Sequence, residues 1–91
     1  MILLAAGRAT LELLDENQAA LVDRIEAGRR VAGTVRLALE VDDSDAKARR
    51  LVAAGATKLA DPVTTPWGDR NARVESPDGM QLTLFSVSAE T

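Results

Sequence analysis

Over residues 34–85 the hydrophobic period changes from two to that of a helix and back to two, which sets the order strand, helix, strand, strand, strand. In TVRLALEV, Val35, Leu37, Leu39 and Val41 form one unbroken apolar face, and Arg36, Ala38 and Glu40 form the other. Such a strand packs on one side and is open on the other. DDSDAKARRLVAAG then reads as a helix: Asp43 or Ser44 caps it by accepting from its free N–H groups, and Asp45 suits the positive end of its dipole. Ala48, Leu51, Val52 and Gly55 make its buried stripe, and Gly55 ends it in the left-handed conformation at little steric cost. A return strand starts at residues 56–60. The segment DPVTTPWGDRN carries two prolines and a glycine, so it is a loop or an irregular edge strand. Ser76-Pro77-Asp78-Gly79 is a tight turn, and the strand after it places Leu82 and Leu84 toward the helix with Gln81, Thr83 and Phe85 on the open side.

Upstream, residues 1–6 and 9–14 are two short apolar or alternating runs separated by Gly7-Arg8, the pattern of a hairpin. DENQAALVDRIEAGRR follows, polar and charged, with Ala20, Leu21 and Ile25 spaced for a short helix that Gly28 terminates. It reads as a connector. Leu11-Glu12-Leu13-Leu14 echoes Leu82-Thr83-Leu84-Phe85, each a few residues after a glycine. The echo divides the chain into the closing hairpin of an incomplete first unit (residues 1–16), a connector (17–33), a complete second unit (34–87) and a tail (88–91).

A chain of 91 residues makes one small domain with a thin core, since a domain of this size buries roughly 60 to 65% of its unfolded surface. With one Phe, one Trp and no Tyr, that core is filled by Leu, Val and Ala. The 11 basic residues are interleaved with 14 acidic ones, which gives no basic stripe for a phosphate backbone and excludes nucleic acid as the expected partner. There is no Cys and no His, so disulfides, thiolate chemistry and Cys-ligated metals are excluded and a cytoplasmic location is expected. The opening MILLAA stops at Gly7 and Arg8, well short of the ~20 apolar residues that span a membrane. No membrane partner is expected.

GTVRLALEVDDSDAKARRLVAAGA, followed by PWGDRNARVESPDGMQLTLF, closely resembles the second module of the vicinal oxygen chelate superfamily, the group of the glyoxalases, bleomycin-resistance proteins and extradiol dioxygenases. The resemblance implies an α+β fold in which two βαβββ modules align their sheets into a cup that holds a divalent metal or an organic ligand. It also implies an N-terminal truncation here, with one complete module and the last hairpin of another. The family's metal ligands are His on the first strand and Glu on the last strand of each module. Those positions correspond to Arg36 and Thr83 in the complete module and to Glu12 in the incomplete one. Arg cannot shed its proton to coordinate a metal, and a neutral Thr hydroxyl is a poor substitute for a carboxylate. The resemblance therefore implies the cup without the metal, and no cofactor is expected.

Glu12, Arg36 and Thr83 form the candidate polar cluster of that cup, with Phe85 beside them on the open face. The structural alternative is an Arg36–Glu12 ion pair that holds the sheet or a subunit contact together. Trp67 is the candidate wall at the rim, or else a core or interface residue. Asp69 and Arg70 read as a solvated pair, and Arg73 and Glu75, on the same face as Asn71, either line the cup or, as the favoured reading, are solvated. Asp42, Asp43 and Asp45 lack the glycine and terminal Glu of a calcium loop and read as a helix cap. The leading function is metal-independent binding of a small organic molecule, with no catalytic residue. The alternatives are a metal-dependent lyase or isomerase completed by a partner or a missing segment, and a non-catalytic module that only oligomerises. A homodimer is expected, because the incomplete hairpin leaves open sheet edges and apolar faces.

Overall fold

The computed structural model describes residues 2–6, 9–31, 33 and 35–87, with side chains from residue 11 onward. The Gly7-Arg8 turn and the tail at 88–91 lie outside the described residues. In chain order the elements are β1 (Ile2–Ala6), β2 (Ala9–Leu13), α1 (Glu16–Ala27), β3 (Arg36–Glu40), α2 (Ser44–Ala53), β4 (Thr57–Thr64), β5 (Asp69–Glu75) and β6 (Gln81–Val87). β1 and β2 pair antiparallel as a separate two-stranded sheet, Leu4 opposite Leu11 and Ile2 opposite Leu13. The other strands form one sheet in the order β3-β6-β5-β4, with β3 parallel to β6 and the remaining pairs antiparallel. The expected α+β class and the β-α-β-β-β unit are both present.

The local signals act as their chemistry requires. Asp43 caps α2 by accepting from the Ala46 N–H at 3.0 Å. Ser44, the other candidate cap, is buried instead, where its hydroxyl donates to the Arg70 carbonyl at 2.9 Å and lies 3.0 Å from the Ser86 hydroxyl. Gly55 sits at φ 119°, and the chain turns out of α2 with the Ala56 N–H bonded to the Leu51 carbonyl at 2.9 Å. At the β5–β6 turn the Gly79 N–H donates to the Ser76 carbonyl at 2.9 Å. β4 runs further than residues 56–60, through Pro62 to Thr64, with register shifts on both sides of Ala60. It is an edge strand, and so Pro62 is tolerated there.

The core is small. Ala48, Ala72, Val74 and Leu84 are buried, with Val41, Leu51, Ala56 and Leu82 packed around them. α2 lies over β5, β4 and β6 and makes at most slight contact with β3. For that reason the expected packed face of β3 is only partly covered, and Leu37 and Leu39 stay 48% and 43% exposed. Beside α2 a cleft of about 500 Å³ opens where Ala48, Ala60 and Ala72 are too short to fill the space against β4 and β5. Among the described residues no helix is long and apolar enough to cross a membrane.

Leu84 is 1% exposed at the centre of this core, so Leu84→Ala is expected to cost about 2–3 kcal/mol, in the lower part of the usual range because the loose neighbourhood can relax. Urea denaturation measures it. A loss under about 0.5 kcal/mol, the size of an ordinary surface change, contradicts this placement of the core.

Candidate functional site

α1 begins with a reciprocal cap: the Gln18 N–H donates to Asp15 at 2.8 Å, and the Asp15 N–H donates to the Gln18 side chain at 3.1 Å. It ends at Gly28, in the left-handed conformation at φ 75°. The short helix is where the sequence puts it, but its role differs. It rests against β4 and β5, and its fully buried side chains are Asp23 and Glu26 rather than an apolar stripe; Leu21 is 48% exposed. Three residues apart on a helix, the two carboxylates share one face.

That face meets Arg73. Strand alternation sends Ala72 and Val74 into the α2 core and Arg73 the other way, together with Asn71. Arg73 is 1% exposed. Its Nη2 donates to Asp23 Oδ1, and its Nη1 donates to Glu26 Oε1 at 3.2 Å. Asp23 Oδ2 accepts in addition from Arg30 at 2.7 Å and from the Val31 N–H at 2.9 Å. Arg36 on β3 brings its Nη1 to 3.8 Å from the same Glu26 oxygen and donates to the Thr83 hydroxyl. Two arginines from different strands thus converge on one carboxylate oxygen, and α1 covers the side of the sheet opposite α2.

The charges disturb one another. Burial raises the Glu26 pKa above its ordinary 4.5, against the attraction of Arg36 and Arg73. Burial, and then the like charge of Arg73, lowers that of Arg36. Among the described residues Asn71 Oδ1 and Arg73 Nε have no hydrogen-bond partner. At the far end of the sheet Arg70 grips Asp45 on α2 through bonds of 2.9 and 3.0 Å. Arg70 is paired with Asp45 rather than Asp69 while its side chain stays 42% exposed, whereas the solvated reading of Arg73 is corrected.

Of the candidate residues, Arg36 and Thr83 are in contact, and Phe85 lies half-buried on the same face of β6. Glu12 is exposed on β2, and the Arg36–Glu12 pair is replaced by Arg36–Glu26. Of the acids that favour the Arg36 charge, Glu12 acts less than Glu26 or Asp23. Trp67 is 51% exposed in the turn between β4 and β5. Sequence reasoning missed Asp23 and Glu26, and it placed Arg73 on the face of Asn71 but favoured solvent over the cup for it. The available signal was an arginine held between Ala72 and Val74, in a strand whose alternate residues are core.

Compared with known protein families, the chain matches the Glyoxalase-like domain over residues 4–85. It belongs to that family, whose domain is one of the vicinal oxygen chelate superfamily. No curated protein matches it closely enough to count as a relative.

Arg73→Met strands two buried carboxylates and is expected to cost about 3–5 kcal/mol. Glu26→Gln behaves differently, and the sign follows from the raised pKa. The stabilisation from a protonated Glu26 is complete below 4.5 and is lost as pH rises through the higher folded value. The stability of the wild type relative to Glu26→Gln should therefore fall between about pH 4 and pH 7. Urea titrations across that range test this; a difference that is flat or grows with pH contradicts it.

Proposed function

We propose that this glyoxalase-like domain binds a small organic molecule on the face of its sheet that carries Arg36, Arg73, Thr83 and Phe85, and that it does so without a divalent metal. The observation that carries the reading is the convergence of Arg36 and Arg73, with Thr83 and Asn71, on the face of the sheet that α1 covers. Residues shaped for a sheet core would be apolar there. Polar groups gathered on a largely apolar scaffold are the usual means of orienting a small ligand. Glu12 and Trp67 are proposed to contribute from the rim, Trp67 from the turn between β4 and β5.

The donor chemistry supports metal independence. The two family metal positions of the complete module hold Arg36 and Thr83, which are bonded to each other. A guanidinium keeps its proton and repels a cation, and the chain has no His. Glu12 alone offers a carboxylate at these positions, and it stands exposed on the separate hairpin. The acids that flank the arginines also favour a small ligand over a nucleic acid, whose phosphates need an uncompensated basic surface.

A homodimer is part of this reading. β3 is an edge strand with Leu37 and Leu39 half-exposed, Val35 just before it is 67% exposed, and Leu11 and Leu13 of the hairpin are 53% and 48% exposed. A second copy that continues the sheet past β3 removes both the open backbone edge and the apolar surface. Light scattering is expected to give twice the chain mass at micromolar concentration, reduced toward one chain by Leu37→Lys. A monomer throughout contradicts the dimer.

The binding claim is tested by screening small organic molecules with Trp67 fluorescence and thermal shift, on wild type and Arg36→Ala, with and without a chelator. The expected result is a ligand whose affinity falls at least about tenfold in Arg36→Ala, with a melting temperature close to wild type and no effect of the chelator. A variant that binds normally but melts much earlier assigns Arg36 to structure alone. Binding abolished by the chelator overturns metal independence.

A further inference from the structure

We propose that Asp23 and Glu26 act as a built-in stand-in for the ligand: α1 occupies the anion site of the cup, and a short dicarboxylate binds by displacing it. The proposal rests on the cup-binding reading above and adds to it a ligand class and a latch. Its basis is the way two carboxylates are received. Arg73 donates to Asp23 with one nitrogen and to Glu26 with another, and Arg36 approaches the same Glu26 oxygen at 3.8 Å. One guanidinium bridging two separate carboxylates, with a second closing on one of them, is a receptor for a two-headed anion.

The surroundings carry unused capacity of the right kind. Thr83 accepts from Arg36, which leaves its own hydroxyl proton free to donate. Asn71 is 2% exposed and shares the Arg73 face. Arg73 Nε, without a partner among the described residues, is a further donor. On the same strand Asp69 and Glu75 are half-buried at its two ends, and Asp69 repels the Glu26 charge. They bound the site and favour an anion small enough to stay between them.

Displacement is physically accessible. α1 has 12 residues, and helices of this length are marginal alone in water. It is held chiefly through charges, and the desolvation of buried charges cancels much of their attraction. No apolar side chain of α1 is fully buried. A ligand that brings the same carboxylates without the cost of ordering a helix can therefore compete for the arginines.

The test uses the full chain, as wild type and as Asp23→Asn/Glu26→Gln, with glutarate, its neutral diamide and inorganic phosphate as calorimetric probes. Glutarate is expected to bind the double variant at least about tenfold more tightly than wild type, the diamide to bind neither, and Arg73→Met added to the variant to abolish binding. In wild type, glutarate should speed hydrogen exchange of the α1 amides several-fold, and sodium chloride at equal ionic strength should not; this arm decides the matter if the double variant fails to fold. Equal glutarate affinity for both proteins, α1 exchange unchanged or slowed by glutarate, or phosphate binding as tightly as glutarate overturns the proposal. Neutral organic molecules that bind the variant when glutarate does not overturn the dicarboxylate latch and leave the cup-binding reading standing. A variant that is folded and binds none of them overturns both.

Discussion

The arrangement depends on one buried guanidinium. Arg73 leaves the same strand as Ala72 and Val74, which build the core under α2, but points to the other side, where it meets Asp23 and Glu26. Without those carboxylates a fully buried cation faces apolar surroundings at a cost of several kcal/mol. Without Arg73, the carboxylates bear that cost instead. The sheet face and α1 are therefore mutually required through these charges, with Val22 and Ile25 of α1 only partly buried. Arg30, Arg36 and the Val31 N–H complete the satisfaction of the acids.

A thin hydrophobic core makes this ionic layer more consequential than it would be in a larger domain. The chain has little aromatic volume, and the cleft beside α2 shows where alanines leave space. Charge replaces bulk on the opposite face. Interiors of this kind add little net stability, since attraction and desolvation nearly cancel. A layer so balanced is also suited to exchange one pair of carboxylates for another, which links the packing of α1 to the proposed binding of an anion.

Much of the fold was legible in the sequence because it is written in local rules. The strand in TVRLALEV, the Asp43 cap, the Gly55 exit and the Ser76-Pro77-Asp78-Gly79 turn each depend on a few adjacent residues and are found in place, although the apolar face of that strand, Leu37 and Leu39, stays exposed. The open face of β6, with Thr83 and Phe85, followed from the same alternation. What did not follow was the partner of that face. Asp23 and Glu26 sit in a helix rich in exposed charge, where nothing local distinguishes a solvated acid from a buried one. Their burial is decided by Arg73, about fifty residues away. Glu12 was chosen as the partner of Arg36 by family position, whereas Glu26 is the acid that reaches it.

A double-mutant cycle between Asp23 and Arg73 tests most directly whether their buried interaction docks α1 onto the sheet. Asp23→Asn, Arg73→Met and the double variant would be compared with wild type by urea denaturation near neutral pH. The cluster predicts strong coupling: the double variant should be at least about 1.5 kcal/mol more stable than the sum of the single losses allows, because Arg73→Met alone strands both Asp23 and Glu26 whereas the double change strands Glu26 only. Losses that add to within about 0.5 kcal/mol would show the two residues acting independently, and would contradict the account.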